Sequence, residues 1–178
     1  MSSSIYDIVS WGKNTYYVKN TIVLNDSKYY YAGYTHTSHI SQDFTPALAE
    51  NPGLWLGRGV DSYGIDKPQF SWSPSYAGTF DNAPRVKVIK FGDGYEQRAK
   101  DGISSVLLNL DLVFDNRDIN ECSAIEHFLN AREATESFLF TPPPPYSKKK
   151  RFVCRTWQNS NVFYNNFAIK VKFEEVSN

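Results

Sequence analysis

The sequence is poor in the groups from which most chemistry is built. Cysteine occurs only at Cys122 and Cys154. Two distant thiols cannot supply the closely paired ligands of a zinc site, and in a reducing compartment they read as buried free thiols. The one methionine stands at the start, which excludes a methionine-lined groove for many partners. Net charge is missing as well: 19 Lys and Arg balance 19 Asp and Glu. A dedicated nucleic-acid binder carries a basic excess, so no specific nucleic-acid partner is expected. No apolar run approaches the length of a membrane span, and "MSSSIYD" has neither a basic nor an apolar leader region. Membrane insertion and secretion are therefore not expected, and the chain should be made and folded in the cytoplasm.

Catalytic patterns are equally scarce. There is no Gly-x-Ser-x-Gly elbow and no Gly-Lys-Ser/Thr phosphate loop. His36, His39 and Asp43 in "HTSHISQD" lack a closed ligand set and read as a polar loop. His127 has no evident Ser or Cys partner. No enzyme activity, metal or cofactor is expected.

Aromatic residues are abundant: 12 Tyr, 12 Phe and 4 Trp make up 16% of the 178 residues. That richness favours strands and surfaces that meet partners. The chain reads as a small module over 1–56, a linker over 57–68 ("GRGVDSYGIDKP") and a strand-rich domain over 69–178. In "FAIKVKFEE", Phe167, Ile169, Val171 and Phe173 alternate with Ala168, Lys170, Lys172 and Glu174, which predicts a half-buried strand. "SVLLNLDLVF" places Val106, Leu108, Leu110, Leu112 and Phe114 on one face. "PRVKVIKF", "ESFLFTPP" and "RFVCRTWQN" read as further strands.

One helix stands out in "DINECSAIEHFLNAR". Asp118 is its expected N-cap, with Glu121 completing a capping box. Ile119, Cys122, Ile125, Phe128 and Leu129 form the apolar stripe, leaving Glu126 and His127 toward solvent and Arg132 in the last turn. The fold class is mainly β: a β-sandwich or barrel with one flanking α-helix, plus a small N-terminal β module. In that module "NTIVL" and "KYYYAGY" read as strands joined by a turn at Asn25, Asp26 and Ser27. So small a module has a thin core and should lean on its neighbour.

Three stretches invite functional readings. In "VIKFGDGYEQR" (88–98) a strand leads into Asp93-Gly94, and no helix or ligand set follows. The stretch reads as a hairpin turn rather than a phosphate or calcium loop. "PPPPYSKKKR" (142–151) reads as a stiff polyproline-II connection with a basic run. It is either a solvated link between strands or a protein-docking loop. The N-terminal aromatics are either module core on alternating faces, with Tyr29 and Tyr31 together and Tyr30 opposite, or exposed rings that stack on sugars or anchor partners.

From about Phe70 onward the chain resembles the minor tail protein M family of lambda-like, long-tailed bacteriophages. The resemblance rests on an ordered series: "FSWSP", "PRVKVIKFGDGYEQRAKDGI", the helix ending "IEHFLNAR", "ESFLFTPPPP", "RFVCRTW" and "KVKFEEV". It implies a tail-tube-like β-sandwich or barrel and a structural place in the virion tail, assembled in the host cytoplasm. It also implies a homo-hexameric ring joining the tail tube protein to the tail-tip hub protein. Glu96, Gln97, Arg98, Lys148, Lys149, Lys150 and Arg151 are the candidate partner contacts. The N-terminal part resembles small chitin-binding-type carbohydrate-binding modules, with Asn20 and Ser27 at two glycine positions. That resemblance implies a host surface glycan stacked on Trp11, Tyr30 and Trp55. A free-standing lectin-like protein is the alternative function.

Overall fold

The computed structural model describes residues 6–44, 53–76, 78–82, 84–102 and 106–177. Asn51 and Pro52 of the "NPGLW" motif, and Ser104 and Ser105 ahead of the long leucine strand, lie outside the described residues. The first strands are β1 (Ile8–Ser10), β2 (Tyr16–Tyr17), β3 (Ile22–Asn25), β4 (Lys28–Ala32), β5 (His36–Thr37) and β6 (Trp55–Leu56). Next come β7 (Arg58–Val60), β8 (Asp66–Pro68), β9 (Thr79–Asn82), β10 (Val86–Lys90), β11 (Glu96–Lys100) and β12 (Leu108–Arg117). Helix α1 (Ile119–Asn130) follows, then β13 (Phe138–Phe140), β14 (Lys150–Phe163) and β15 (Asn166–Glu175).

The protein is mainly β, as its alternating patterns require. A five-stranded antiparallel sheet in the order β13-β14-β15-β12-β9 curls into a half-barrel. Its inner face carries Leu108, Leu110, Leu112 and Phe114 from β12. Ile169, Val171 and Phe173 come from β15, and Phe152 and Cys154 from β14. The period-two reading holds from Leu108 on, whereas Val106 stands exposed ahead of the strand. Phe70 fills the centre, with ring centroids 5.0 to 6.1 Å from Trp72, Phe114, Phe128, Phe138, Phe140 and Phe173. Burying such a ring contributes about 2–3 kcal/mol.

Helix α1 covers this core through Cys122, Ala124, Ile125, Phe128 and Leu129. The Asp118 side chain accepts from the Glu121 N–H at 2.7 Å, as an N-cap should. The return half of the capping box is missing, because the Glu121 carboxylate pairs with Arg117 at 2.7 Å instead. Asn165, in the turn between β14 and β15, accepts from the Ile119 N–H at 3.1 Å and supplies the second cap. Ile119 itself faces outward. His127 corrects the sequence reading, since it is 5% exposed rather than solvated. Arg132 lies past the C-cap Ala131, buried, with its guanidinium 4.7 Å from the Phe128 ring centre and paired with Glu136.

The reason is a second sheet, ordered β1-β3-β4-β6, with β1 parallel to β3. Asp26 and Ser27 form its β3–β4 turn, both at positive φ, between the paired residues Asn25 and Lys28. Alternation along β4 sends Tyr29 and Tyr31 toward α1 and Tyr30 to a smaller cluster with Tyr17, Val23, Phe44 and Trp55. The N-terminal strands thus share the main core through Ile22 and Tyr31 and lean on the helix.

The stretch read as a linker is instead the β7–β8 hairpin. Polar anchors hold it. Asp61 accepts from the Tyr63 and Ile65 N–H groups and from Arg151, at 2.9, 3.0 and 3.0 Å. The Ile65 N–H above all, with Tyr63 and Arg151, holds the Asp61 carboxyl below the usual carboxylate range.

Candidate interaction surfaces

β10 and β11 form a hairpin whose ten strand residues are all exposed. The Phe91 N–H donates to the Tyr95 carbonyl at 2.7 Å and extends the ladder into the loop. Gly94 takes the left-handed backbone, φ +79°, that the bend needs. The register sets Ile89 opposite Gln97 and Lys87 opposite Ala99. Alternation adds Phe91 and Tyr95 to that face, leaving Val86, Val88, Lys90, Glu96, Arg98 and Lys100 on the other. Neither face enters a core cluster, although Phe91 is 53% and Tyr95 80% exposed.

Of the expected contact residues on this hairpin, Glu96 and Arg98 pair with each other, and Gln97 lies on the apolar face. The apolar residues beside them were missed. The available signal was an apolar-rich strand, "VKVI", with Phe and Tyr bracketing the turn and no second apolar element to cover them. A second exposed apolar group, Val162, Phe163 and Tyr164, forms the tip of the β14–β15 hairpin.

The basic run is mostly engaged within the chain. Lys150 pairs with Glu175 at 2.9 Å, and Arg151 with Asp61 at 3.0 Å. Lys149 donates to the Gln69 side chain at 3.0 Å. Lys148 alone of the four has no such partner among the described residues. The prolines before it do not continue as a straight rod, because Tyr146 N–H turns back to Pro143 O at 3.2 Å. The loop then reaches β9: the Asn82 amide donates to the Tyr146 hydroxyl at 2.8 Å, and the Phe80 and Tyr146 rings lie 5.8 Å apart. β9 and β13 are the outer strands of the five-stranded sheet. The proline loop therefore spans the gap where the half-barrel fails to close. Beneath it lies a groove of about 670 Å³, walled by Phe70, Trp72, Tyr76, Phe80, Phe140 and Pro143, with no charged side chain in its lining.

The proposed sugar platform divides. Tyr30 and Trp55 are 7% and 3% exposed and belong to the module core, although Trp55 also lines the cleft onto which Trp11 opens. Trp11 is half-buried, edge-on to Phe44 at 5.7 Å, and opens with Tyr34 onto a shallow cleft of about 220 Å³.

Among the described residues no three His, Cys, Asp or Glu side chains converge to hold a metal. His36 bonds the Tyr34 carbonyl, His39 bonds Ser41, and Asp43 pairs with Lys13 at 2.8 Å. Cys122 and Cys154 are buried free thiols, as the sequence reading expects, and burial pushes them up to about 11 and about 12. No helix among the described residues is long and apolar enough to cross a membrane.

Comparison with known proteins adds two findings. Residues 68–177 match the family described as phage minor tail protein. Over 109 residues the chain is 30% identical to tail tip protein M of Escherichia phage lambda, covering 61% of this chain and 97% of that protein. Residues 1–67 lie outside the family match.

Proposed function

The chain belongs to the phage minor tail protein family, and from that premise we propose that it is a ring subunit of the distal tail. Six copies would close a ring between the tail tube and the tail-tip hub, assembled in the host cytoplasm and carried in the virion tail. The family gives it a structural role, and we assign it no catalytic one. The observation that carries the ring reading is the β10–β11 hairpin, with Val88, Ile89, Phe91 and Tyr95 exposed and no core of its own. An exposed apolar ribbon is a liability in an isolated monomer and an asset in an assembly. The outer edge of β9 pairs with no named strand and adds a second surface for a neighbour.

Native mass spectrometry and negative-stain microscopy test the reading, on the protein alone and mixed with tail-tube and hub proteins. The expected result is a closed ring, alone or on the tube template. A strict monomer that binds neither protein sinks it.

The N-terminal part adds a second, separable role in the same proposal, a weak grip on host surface glycan strengthened by several copies per ring. The Trp11–Tyr34 cleft supports it. On a glycan array, Trp11→Ala is expected to abolish binding. If the unaltered protein retains no glycan, the cleft has another use.

A further inference from the structure

Two apolar surfaces among the described residues remain open to solvent. The first is the open seam of the half-barrel. Barrels remove sheet edges by closing, but the named strands of this sheet stop at β9 on one side and β13 on the other; Gln69 and Phe70 pair with Leu139 on β13, and the proline loop crosses to Asn82. The gap remains an aromatic groove of about 670 Å³ without a charged lining residue. The second is the β10–β11 hairpin, exposed on both faces.

We propose that the seam of each copy receives the Phe91–Tyr95 end of the hairpin from the next copy, so that each half-barrel is completed by its neighbour. This rests on the ring reading above and names the contact within it.

Three observations select this occupant. Ile89, Phe91 and Tyr95 share one hairpin face with the neutral Gln97 and Ala99; the charges are Lys87 at the root and Asp93 in the turn. An uncharged groove can take the two rings of that face, with the Asp93 carboxylate left in solvent at the mouth so that no unpaired charge is buried. The hairpin also springs from the seam's own rim, since β9 ends at Asn82 and β10 begins at Val86. It nevertheless stands free instead of folding back onto its own groove. Hairpin and groove are different patches of one surface, so their contact is head-to-tail, the kind that generates a ring when rotation closes it. The other apolar tip, at Phe163 and Tyr164, is tied at its turn to the helix through Asn165.

Cysteine cross-linking in the full chain tests the contact. Phe91→Cys marks the tip and Tyr76→Cys the groove rim, where Tyr76 is fully exposed. The native thiols are buried and stay protonated at neutral pH, so they remain silent. Under mild oxidation, an equal mixture of the two single variants is expected to give a disulfide dimer. The double variant should give a ladder ending at the ring's copy number. Phe91→Cys mixed with Lys13→Cys should give no more dimer than Phe91→Cys alone. If Tyr76→Cys folds poorly by circular dichroism, Ser73→Cys on the same wall replaces it. Rings that form without the cross-link overturn the seam contact and leave the ring reading intact. A bridge within single chains of the double variant also overturns it, because the hairpin then closes its own seam. Absence of both ring and cross-link sinks both proposals.

Discussion

His127 sits where three tyrosine rings converge, with centroids of Tyr29, Tyr6 and Tyr31 at 4.6, 5.2 and 5.9 Å. Its Nδ1 shares a 2.8 Å hydrogen bond with the Tyr31 hydroxyl. Burial, helped by the charge of Arg132, lowers it from the ordinary 6.5 to about 4. The imidazole is therefore neutral in the folded protein at neutral pH, while the unfolded chain takes up a proton below about 6.5. Stability from this site is complete above that pH and is lost as pH falls from about 6.5 to about 4, by roughly 2–3 kcal/mol. Thermal melts at pH 7.5 and pH 5 should show the drop, and His127→Gln should flatten it. An unchanged slope in that variant would assign the effect to other groups. The sequence could not place His127. It lies off the apolar stripe of α1, and only a second sheet arriving from residues 22–32 buries it, which no pattern within the helix reports.

Elements with local signals were legible, and those held by distant polar contacts were not. The Asn25–Lys28 turn, the Asp118 cap, the Asp93-Gly94 hairpin and the β12 and β15 alternations each follow from a few adjacent residues. The β7–β8 hairpin looked like a linker because its anchors are carboxylates with distant partners, Asp61 reaching Arg151 and Asp66 reaching Lys28. The same reasoning sets two mutations apart in sign. Asp26 and Ser27 hold φ of 48° and 59°, the left-handed pair of a two-residue hairpin. Ser27→Gly removes a Cβ penalty there and should raise stability by about 0.5–1 kcal/mol in urea unfolding. Asp118→Ala removes a helix cap and should lower it by about 1 kcal/mol in the same assay. That loss would be muted if the Asn165 cap suffices alone.

For the whole molecule, fold class and family were readable because ordered strand and helix motifs survive in sequence. The burial of Tyr30 and Trp55 was not readable, since alternation names two faces but not which one meets solvent. The same ambiguity hid the exposure of Val88, Ile89, Phe91 and Tyr95, whose pattern would suit a core strand equally well. Stability and assembly should therefore separate by mutation. Phe91→Ser with Tyr95→Ser removes apolar surface that enters no core cluster of the monomer, so its stability should shift by less than about 0.5 kcal/mol. Phe70→Ala, in the ring-packed centre of the core, should cost about 3–5 kcal/mol. If the hairpin serves a neighbour, the first variant stays folded and fails to form rings or to bind the tail tube, as read by native mass spectrometry. A hairpin variant that loses stability like the core variant would mean that β10–β11 belongs to its own chain's core. Rings formed normally by the folded double variant would mean that copies meet through another surface.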